Sequence, residues 1–216
     1  MQRKTKRSGA ESGLGKLPDK VVMASGNAGK LREISEILCD LDVRVVPQSE
    51  FGVSDAQETG KTFAENALIK ARHASAATGL AAIADDSGLE VDALAGRPGV
   101  YSARYSGPDA DDEKNIDKLL VELDGITGEQ RSAAFYCVAC YVTPDEAEPI
   151  IAEGQWRGLI LRERRGNGGF GYDPVFFDPE IGCSSAQLSV AQKNSRSHRG
   201  KALRELARKL GELESR

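Results

Sequence analysis

The segment that most restricts the fold lies near the start of the chain, where a short apolar run changes into a helical pattern. Residues 20–25 are mostly apolar, as in a buried β-strand, and Gly26-Asn27-Ala28-Gly29 follows directly. Apolar residues then recur at helical spacing over residues 30–41. We therefore predict a strand, a glycine loop and a helix, a unit typical of α/β proteins.

The two patterns continue along the rest of the chain. Thr62 and Glu65 have the spacing of a helix N-terminus, Gly79 that of a helix end, and Asp109 is the predicted cap of the next helix. Strands are predicted at residues 43–47, 80–84, 132–143 and 150–161, and helices at 63–78, 110–123 and 199–210. These elements predict the α/β class, with an elongated mixed β-sheet flanked by helices.

The first residues differ from this pattern. They carry four basic residues between Arg3 and Arg7, among Gly and Ser, and hardly any large apolar residue. Such a segment cannot offset the entropy cost of ordering, so we predict a disordered basic tail at residues 1–19 and one domain at residues 20–213. A transit peptide would need an amphipathic apolar face, which this segment lacks.

Charge and hydropathy restrict the partners. The chain has 29 Lys and Arg against 33 Asp and Glu, a net charge of −4. This balance does not favour a nucleic-acid groove, although a local basic pocket for phosphate stays possible. No run reaches the roughly 18 apolar residues of a membrane span, and no apolar signal region follows the N-terminus. We expect a soluble, cytoplasmic protein with no nucleic-acid and no membrane partner.

Cys137 and Cys140 form a C-x-x-C pair, which raises the question of zinc or redox chemistry. The pair lies in an apolar strand-like run, and the period of two points the side chains to opposite faces of a strand. We therefore interpret both as buried, reduced thiols, like many free cysteines.

Two glycine-rich segments are candidate binding loops. Residues 25–30 lie between a strand and a helix, where free N–H groups favour a phosphate, although an ordinary turn with a solvated lysine has the same pattern. The spacing does not match a Walker A motif. The second segment, Gly166 to Gly171, fits a dinucleotide fingerprint, but β-type residues follow it instead of a helix, so we reject that interpretation. It leaves a loop presenting Phe170, Tyr172 and Asp173, either to a base or as packed turn residues.

Acidic residues suggest a Mg²⁺ site. Glu58 precedes the second helix, and Asp85-Asp86 follow the strand predicted to end at Ala84. Mg²⁺ prefers one or two carboxylates together with substrate phosphates and water. Because neighbouring side chains on an extended backbone point in opposite directions, we predict that one of the two aspartates is structural.

Basic residues supply two further candidate sites. Lys70 shares a helix face with Asn66 and either reaches a phosphate or is a surface lysine. Lys193, His198 and Arg199 precede and begin the last helix, where they form either an anion or base-edge site or an ordinary helix start.

Five segments, in order, resemble the inosine triphosphate pyrophosphatase family, known in bacteria as dITP/XTP pyrophosphatases. They are SGNAGK at 25–30, ETGKTFAENALIKARHA at 58–74, ADDSGLEVDALAGRPGVYSARYSG at 84–107, GGFGYDPVFF at 168–177 and SHRGKAL at 197–203. The resemblance implies two lobes around a central nucleotide-binding cleft, a homodimer, and Mg²⁺-dependent hydrolysis of ITP, dITP and XTP to monophosphate and pyrophosphate. It also implies a role in keeping these nucleotides out of DNA and RNA.

The resemblance also implies a role for each matching residue. Asp86 would bind Mg²⁺ and accept the proton of the attacking water, Glu58 would help to hold the metal, and Ser87 would contact substrate. The triphosphate would be held by Ser25, Gly26, Asn27, Ala28, Gly29, Lys30 and Lys70. The purine would be enclosed by Phe170, Gly171, Tyr172, Asp173, Lys193, His198 and Arg199.

Two residues depart from the pattern of the family. Gln57 and Gln187 stand where many relatives carry glutamate, and the change at Gln57 predicts a lower Mg²⁺ affinity. Two other functions compete with hydrolysis of these purines. A silent nucleotide-binding protein should have lost acids or lysines that are present here, and a hydrolase for modified pyrimidine triphosphates should not need the FGYD and SHR segments in this form.

Overall fold

A computed structural model describes residues 17–26, 28–41, 43–145 and 148–214. Within these residues one mixed sheet contains seven strands in the order β2-β1-β3-β4-β5-β6-β7. β1 pairs in parallel with β2 and β3, and the remaining pairs are antiparallel. The strands are β1 Lys20–Met23, β2 Arg44–Pro47, β3 Ala82–Val91, β4 Ser132–Val142, β5 Ile150–Ile160, β6 Phe176–Asp178 and β7 Cys183–Ser184. The predicted α/β class with a mixed sheet is confirmed.

Helices cover both faces of this sheet. They are α1 Ala28–Ile37, α2 Phe63–Thr78, α3 Asp112–Glu122, α4 Val190–Arg196 and α5 His198–Glu214. α1 and α5 pack in one core cluster with Met23, Ile83 and Ala139. α2 packs on the other face through the fully buried Ala67, Ala71 and Ala74, whose small side chains let the helix approach the sheet closely. A third cluster joins α3 to the far ends of β3, β4 and β5.

Local signals predicted some helix ends correctly. α2 begins after Thr62, whose hydroxyl accepts a hydrogen bond from the Glu65 amide, and ends at Gly79 in the left-handed conformation. The predicted cap of α3 at Asp109 is wrong. Asp111 caps this helix by accepting from the Lys114 amide at 2.8 Å, because its carboxylate lies at the required distance from the first turn.

The prediction that a strand ends at Ala84 and carries the acids at its C-terminal end is also wrong. β3 continues to Val91, and Asp85 and Asp86 lie in its middle, opposite Ala139 and Val138 of β4. The long antiparallel partner supplies backbone hydrogen bonds throughout this stretch, which outweighs the low strand propensity of two aspartates. The acids nevertheless lie beside a strand end, since β1 stops at Met23 and pairs with β3 only as far as Ile83.

The cysteine prediction is confirmed. Cys137 packs against the side of the sheet that carries α5, and Cys140 packs on the opposite side against α2. Burial raises the pKa of the Cys140 thiol to about 12, so it stays protonated. All four cysteines are free in the part of the chain that the structure describes.

The ends of the described chain can be compared with the predicted tail at residues 1–19 and the predicted domain at residues 20–213. The predicted tail falls mainly on residues 1–16, which lie outside the described residues. Leu17 belongs to the core cluster of α1 and α5, and α5 continues to Glu214. No described helix is both long enough and apolar enough to cross a membrane.

Close packing of α5 on β5 gives a test of the fold. A Cβ at Gly154 would lie 2.1 Å from the carbonyl oxygen of His198 and 2.6 Å from the amide of Ala202. Because both atoms belong to the helix backbone, we expect Gly154→Ala to lower the free energy of unfolding by at least about 1–3 kcal/mol in urea titrations. Gly211→Ala in the same helix meets only Leu41 at 3.5 Å, so this control should be neutral or stabilising by up to about 1 kcal/mol. Equal effects of the two changes would contradict this account of the packing.

Candidate active site

The glycine loop lies where the sequence predicts it, between β1 and α1. The Ala24 amide donates to the Ile83 carbonyl at 2.8 Å, which fixes the start of the loop beside β3. Ser25, Gly26 and Gly29 are described, whereas Asn27 lies outside the described residues. The loop therefore stands next to the strand that carries the acids, and its contact with a triphosphate stays a prediction.

Asp85 links this loop to the last helix. Its Oδ2 atom accepts from Lys30 Nζ at 2.8 Å and from Arg199 Nε at 3.2 Å, and Arg199 also donates to the Ser87 hydroxyl at 3.1 Å. Burial alone would raise the pKa of Asp85, but the charges of Lys30 and Arg199 outweigh it and hold this pKa well below its usual value. Asp85 is thus an ionised anchor, in the structural role predicted for one of the two aspartates.

Asp86 points to the other face of β3, as the alternation of side chains requires. Its Oδ1 atom accepts from Lys70 Nζ at 2.9 Å, and its Oδ2 atom accepts from Asn66 Nδ2 at 3.2 Å. Burial raises the pKa of Asp86; Lys70 opposes this effect and the charge of Glu58 adds to it. A carboxylate with a raised pKa is a better proton acceptor than an exposed aspartate.

Glu58 completes a pair of acids around one lysine. Its Oε1 atom is 2.9 Å from Lys70 Nζ, and its Oε2 atom is 3.4 Å from Nη1 of Arg104. Burial alone would raise the pKa of Glu58, but hydrogen bonds and charges from Lys70 and Arg104 keep it below its usual value. Glu58 is therefore ionised near neutral pH.

Asn66 is a site residue whose role the sequence did not reveal. It is fully buried, and its Oδ1 atom accepts from the Gly60 amide at 2.8 Å while its Nδ2 atom holds Asp86. A Cβ at Gly60 would lie 2.6 Å from that Oδ1 atom, so the loop carrying Glu58 docks directly on this side chain. The available signal was a polar residue, Asn66, among the mostly apolar buried residues of α2, a feature that it shares with Ser75.

An exposed aromatic ring marks the other end of the site. Phe170 is 56% exposed, and its ring centroid is 4.7 Å from Lys193 Nζ and 5.6 Å from Arg199 Cζ. Two cations beside one aromatic ring are a favourable cation–π arrangement. The structure thus brings together Phe170, Lys193 and Arg199, three of the residues predicted to enclose a purine, and the ring of Phe170 is a surface on which a base can stack.

Tyr172 and Asp173 shape the loop that carries this ring. Tyr172 is buried and its hydroxyl donates to the Ser102 carbonyl at 2.9 Å. Asp173 is buried and accepts from the Phe170 amide, the Ser185 hydroxyl and Lys193. These contacts give both side chains a positioning role, and their direct contact with a purine stays a prediction.

The two remaining residues at this end differ in their setting. Gly171 donates its amide to Asp112 at 2.6 Å, which ties the loop to α3. His198 is buried and stacks on Phe135, with 4.7 Å between the ring centroids. Burial and the charges of Arg199 and Lys193 lower the pKa of His198 well below its usual value, so the ring is neutral. Its Nδ1 atom has no hydrogen-bond partner among the described residues.

Two adjoining cavities contain these groups. The first has a volume of about 610 Å³ and is lined by Asp86, Ser87 and the residues around Phe170 and His198. The second has about 790 Å³ and is lined by Ser25, Gly26, Asp85 and Arg104, among others. Lys30, Glu58 and Lys70 line both cavities. The acids and lysines therefore stand at the junction of an aromatic cavity and a polar one.

Glu58 and Asp86 have the donor chemistry that Mg²⁺ requires. Both are hard oxygen ligands, and one cationic group already lies 2.9 Å from an oxygen of each. Among the described residues no group of three or more His, Cys, Asp or Glu side chains forms a metal cage. Two carboxylates are sufficient where substrate phosphates and water complete the octahedron, so the residues present fit Mg²⁺.

Comparison with known proteins decides the family. The model of the Ham1 family matches residues 21–209. The chain belongs to the Ham1 family. A dITP/XTP pyrophosphatase of Thioalkalivibrio sulfidiphilus is 55% identical over 88% of this chain and 98% of its own length, and one of Pectobacterium atrosepticum is 53% identical over 86% and 94%. The resemblance stated from the five segments is confirmed.

Solved structures agree with this Ham1 assignment. A HAM1 protein from Coxiella burnetii has a TM-score of 0.85 and 48% identity, covering 89% of this chain and 98% of that one. The Ham1 protein of Staphylococcus aureus has a TM-score of 0.82 and 43% identity, covering 89% and 98%. The residues that match the Ham1 family model, 21–209, include the glycine loop and most of α5.

Proposed function

We propose that this Ham1-family chain hydrolyses the non-standard purine nucleoside triphosphates ITP, dITP and XTP to the monophosphate and pyrophosphate, with Mg²⁺. Relatives named dITP/XTP pyrophosphatase, 53–55% identical over most of the chain, support the substrate class. The observation that carries the proposal is the convergence of Glu58 and Asp86 on Lys70, where the aromatic cavity meets the polar cavity.

The chemical step uses Asp86 as proton acceptor. A water attacks the α-phosphorus, a new P–O bond forms, and the bond to the bridging oxygen breaks as pyrophosphate leaves. Asp86 takes the proton of the water, and Asn66 and Lys70, which donate to its two carboxylate oxygens, hold the carboxylate in place. Lys30 and Lys70 place positive charge beside the phosphates. Mg²⁺ bound by Glu58 and Asp86 would add Lewis-acid charge at the same phosphates.

Base selection is assigned to the residues around Phe170. The ring offers a stacking surface, and Lys193 and Arg199 place hydrogen-bond donors beside it. A 6-oxo purine accepts hydrogen bonds from such donors, whereas the 6-amino group of adenine is itself a donor and cannot accept from them. A buried donor left unpaired costs enough free energy for strong rejection of ATP.

The proposed cellular role is removal of these nucleotides before they enter DNA or RNA. We also propose a cytoplasmic location and a homodimer, both of which the family resemblance implies. Light scattering tests the homodimer, which should have twice the chain mass of 23.2 kDa.

A substrate panel tests the activity. The full chain is incubated with Mg²⁺ and, separately, ITP, XTP, dITP, GTP, ATP and UTP, and the phosphate product is identified. We expect pyrophosphate and the monophosphate, with ITP, XTP and dITP turned over fastest. Release of orthophosphate, or equal turnover of ATP and ITP, would refute the proposal.

Asn66 provides a prediction about positioning. Asn66→Ala leaves one oxygen of Asp86 and the Gly60 amide without their partner, so Asp86 and the Glu58 loop lose their common support. We expect kcat for ITP to fall roughly tenfold to a hundredfold, with KM within about threefold of wild type, since small misplacement of a catalytic group costs about this much. Steady-state kinetics measure both constants.

The matched control is Ser75→Ala. Ser75 is also a buried polar residue of α2, but its hydroxyl donates to the Leu80 carbonyl at 2.7 Å and lines neither cavity. This control should keep kcat. Equal loss of kcat in the two variants would indicate a general effect on α2 instead of positioning of Asp86.

A further inference from the structure

We infer that Arg104 binds the departing pyrophosphate. This inference rests on the proposed function and assigns one more residue to it. Arg104 ends the short 3₁₀ helix Gly99–Arg104, which follows β3. Arg104 lies within the family-like segment 84–107, and its place beside Glu58 appears only in the folded chain.

Four charged side chains lie in an alternating row across the junction of the cavities. Asp86 contacts Lys70 at 2.9 Å, Lys70 contacts Glu58 at 2.9 Å, and Glu58 contacts Arg104 at 3.4 Å. Asp86 lines only the aromatic cavity, Arg104 lines only the polar cavity, and the middle two line both. The row therefore runs from the aromatic cavity, in which we place the base, into the polar cavity.

The direction of this row of charged side chains determines which phosphates of a bound triphosphate lie near Arg104. With the purine at Phe170 and the α-phosphorus beside Asp86, the chain of phosphates continues past Lys70 and Glu58 into the polar cavity. That cavity is also lined by Ser25 and Gly26, whose loop precedes the N-terminus of α1. The β- and γ-phosphates therefore lie between the glycine loop on one side and Arg104 on the other.

Arg104 is the most accessible of the three cations of the polar cavity. Its side chain is 43% exposed, against 20% for Lys30 and 14% for Lys70. Its contact with Glu58 is long and half-exposed, so little free energy opposes its exchange for a phosphate oxygen. A guanidinium matches the geometry of a phosphate with two parallel N–H donors, which a lysine cannot do.

The charge balance of the polar cavity supports the same role. Lys30, Lys70 and Arg104 offset the acids Asp55, Glu58 and Asp85, so the lining of this cavity carries no net positive charge. Loss of Arg104 would leave an excess of negative charge facing a highly negative leaving group. The ring of Tyr101 makes a cation–π contact with Arg104, with its centroid 5.2 Å from Arg104 Cζ.

The test compares two products as ligands. Binding of inorganic pyrophosphate and of inosine monophosphate to the full chain is measured separately by calorimetry in the presence of Mg²⁺. For Arg104→Ala we expect the dissociation constant of pyrophosphate to rise roughly tenfold to a hundredfold, the range of one hydrogen-bonded ion pair, while that of inosine monophosphate stays within about twofold. Arg104→Lys, which keeps the charge but loses the paired donors, should give an intermediate value.

Arg97→Ala is the matched control. Arg97 is also an exposed arginine of the segment after β3, but it pairs with Glu122 at 2.8 Å and lines neither cavity. This change should leave both dissociation constants and the turnover of ITP as in wild type.

The outcomes separate this inference from the proposed function. Unchanged pyrophosphate binding in Arg104→Ala overturns the inference, and so does an equal weakening of both ligands. A fall in kcat with both dissociation constants unchanged would show that Arg104 only orients Glu58, which also overturns it. Failure of the wild type to hydrolyse ITP would overturn the proposed function, and calorimetry would still decide whether Arg104 binds pyrophosphate.

Discussion

Asp86→Asn is expected to lower the turnover of ITP by roughly 10²- to 10⁴-fold, the usual contribution of a positioned proton acceptor. Asparagine has the shape of aspartate but cannot take a proton from water, and it is a weaker metal ligand. The substitution does not alter the residues proposed to hold the base and the triphosphate, so binding of ITP should change little. Pyrophosphate release measures turnover, and calorimetry measures binding.

The same substitution should not unfold the protein. Burial raises the pKa of Asp86, so the folded chain disfavours its charged form relative to the unfolded chain. A neutral residue of the same shape removes this cost. We therefore expect a urea midpoint equal to or above that of wild type. If turnover is also unchanged in Asp86→Asn, Asp86 is not the proton acceptor.

Asp85→Asn should have the opposite effect on stability. Asp85 is buried and its Oδ2 atom accepts from both Lys30 and Arg199. Loss of its charge leaves Arg199 buried without its carboxylate, and breaking a buried pair in this way costs about 3–5 kcal/mol. Activity should fall as well, because Asp85 helps to position both Lys30 and Arg199. Urea titration measures the loss of stability.

The pH dependence gives this prediction a specific sign. The folded pKa of Asp85 is held below its unfolded value, so the ionised carboxylate contributes its full stability above the unfolded pKa of about 3.9 and loses it as the pH falls through the folded pKa. The difference between wild type and Asp85→Asn should therefore be large near pH 7 and shrink below about pH 4.

Asp178→Asn is the control for Asp85→Asn. Asp178 is a buried aspartate outside both cavities that accepts from Trp156 at 2.8 Å and from the partly exposed Arg196 at 3.3 Å. Asp178→Asn should leave turnover unchanged and should lower the free energy of unfolding by less than Asp85→Asn does. If the difference in free energy of unfolding between wild type and Asp85→Asn does not vary with pH, Asp85 is not an ionised anchor.

Comparison of sequence and structure shows which parts of the fold were predictable. α2 was predicted at its true ends because Thr62 and Gly79 act on the adjacent backbone only. β3 was predicted too short because its continuation past Ala84 depends on pairing with β4, some 50 residues later. Local signals therefore predicted both ends of α2, whereas long-range pairing decided where the acids lie along β3.

The candidate site shows the same division. Glu58, Lys70 and Asp86 were predicted from their chemistry and from the family resemblance, and the structure brings them together. Asn66 and Arg104 were missed as site residues, because their roles depend on partners from other elements, Asp86 for one and Glu58 for the other. The alternation of side chains along a strand correctly predicted that Asp85 and Asp86 point to opposite faces, because it depends only on their being neighbours in an extended backbone.

The unequal lengths of β1 and β3 have a consequence for motion in the site. The backbone of Asp85 and Asp86 is held by β4 along its whole length, whereas the glycine loop begins where β1 stops. Amide hydrogens in this part of β3 should exchange with solvent only during large-scale opening, while those of Ser25 and Gly26, just beyond the end of β1, should exchange through small local fluctuations. Any adjustment to substrates of different size should then involve Ser25 and Gly26, whereas the sheet keeps Asp86, the proposed proton acceptor, in place.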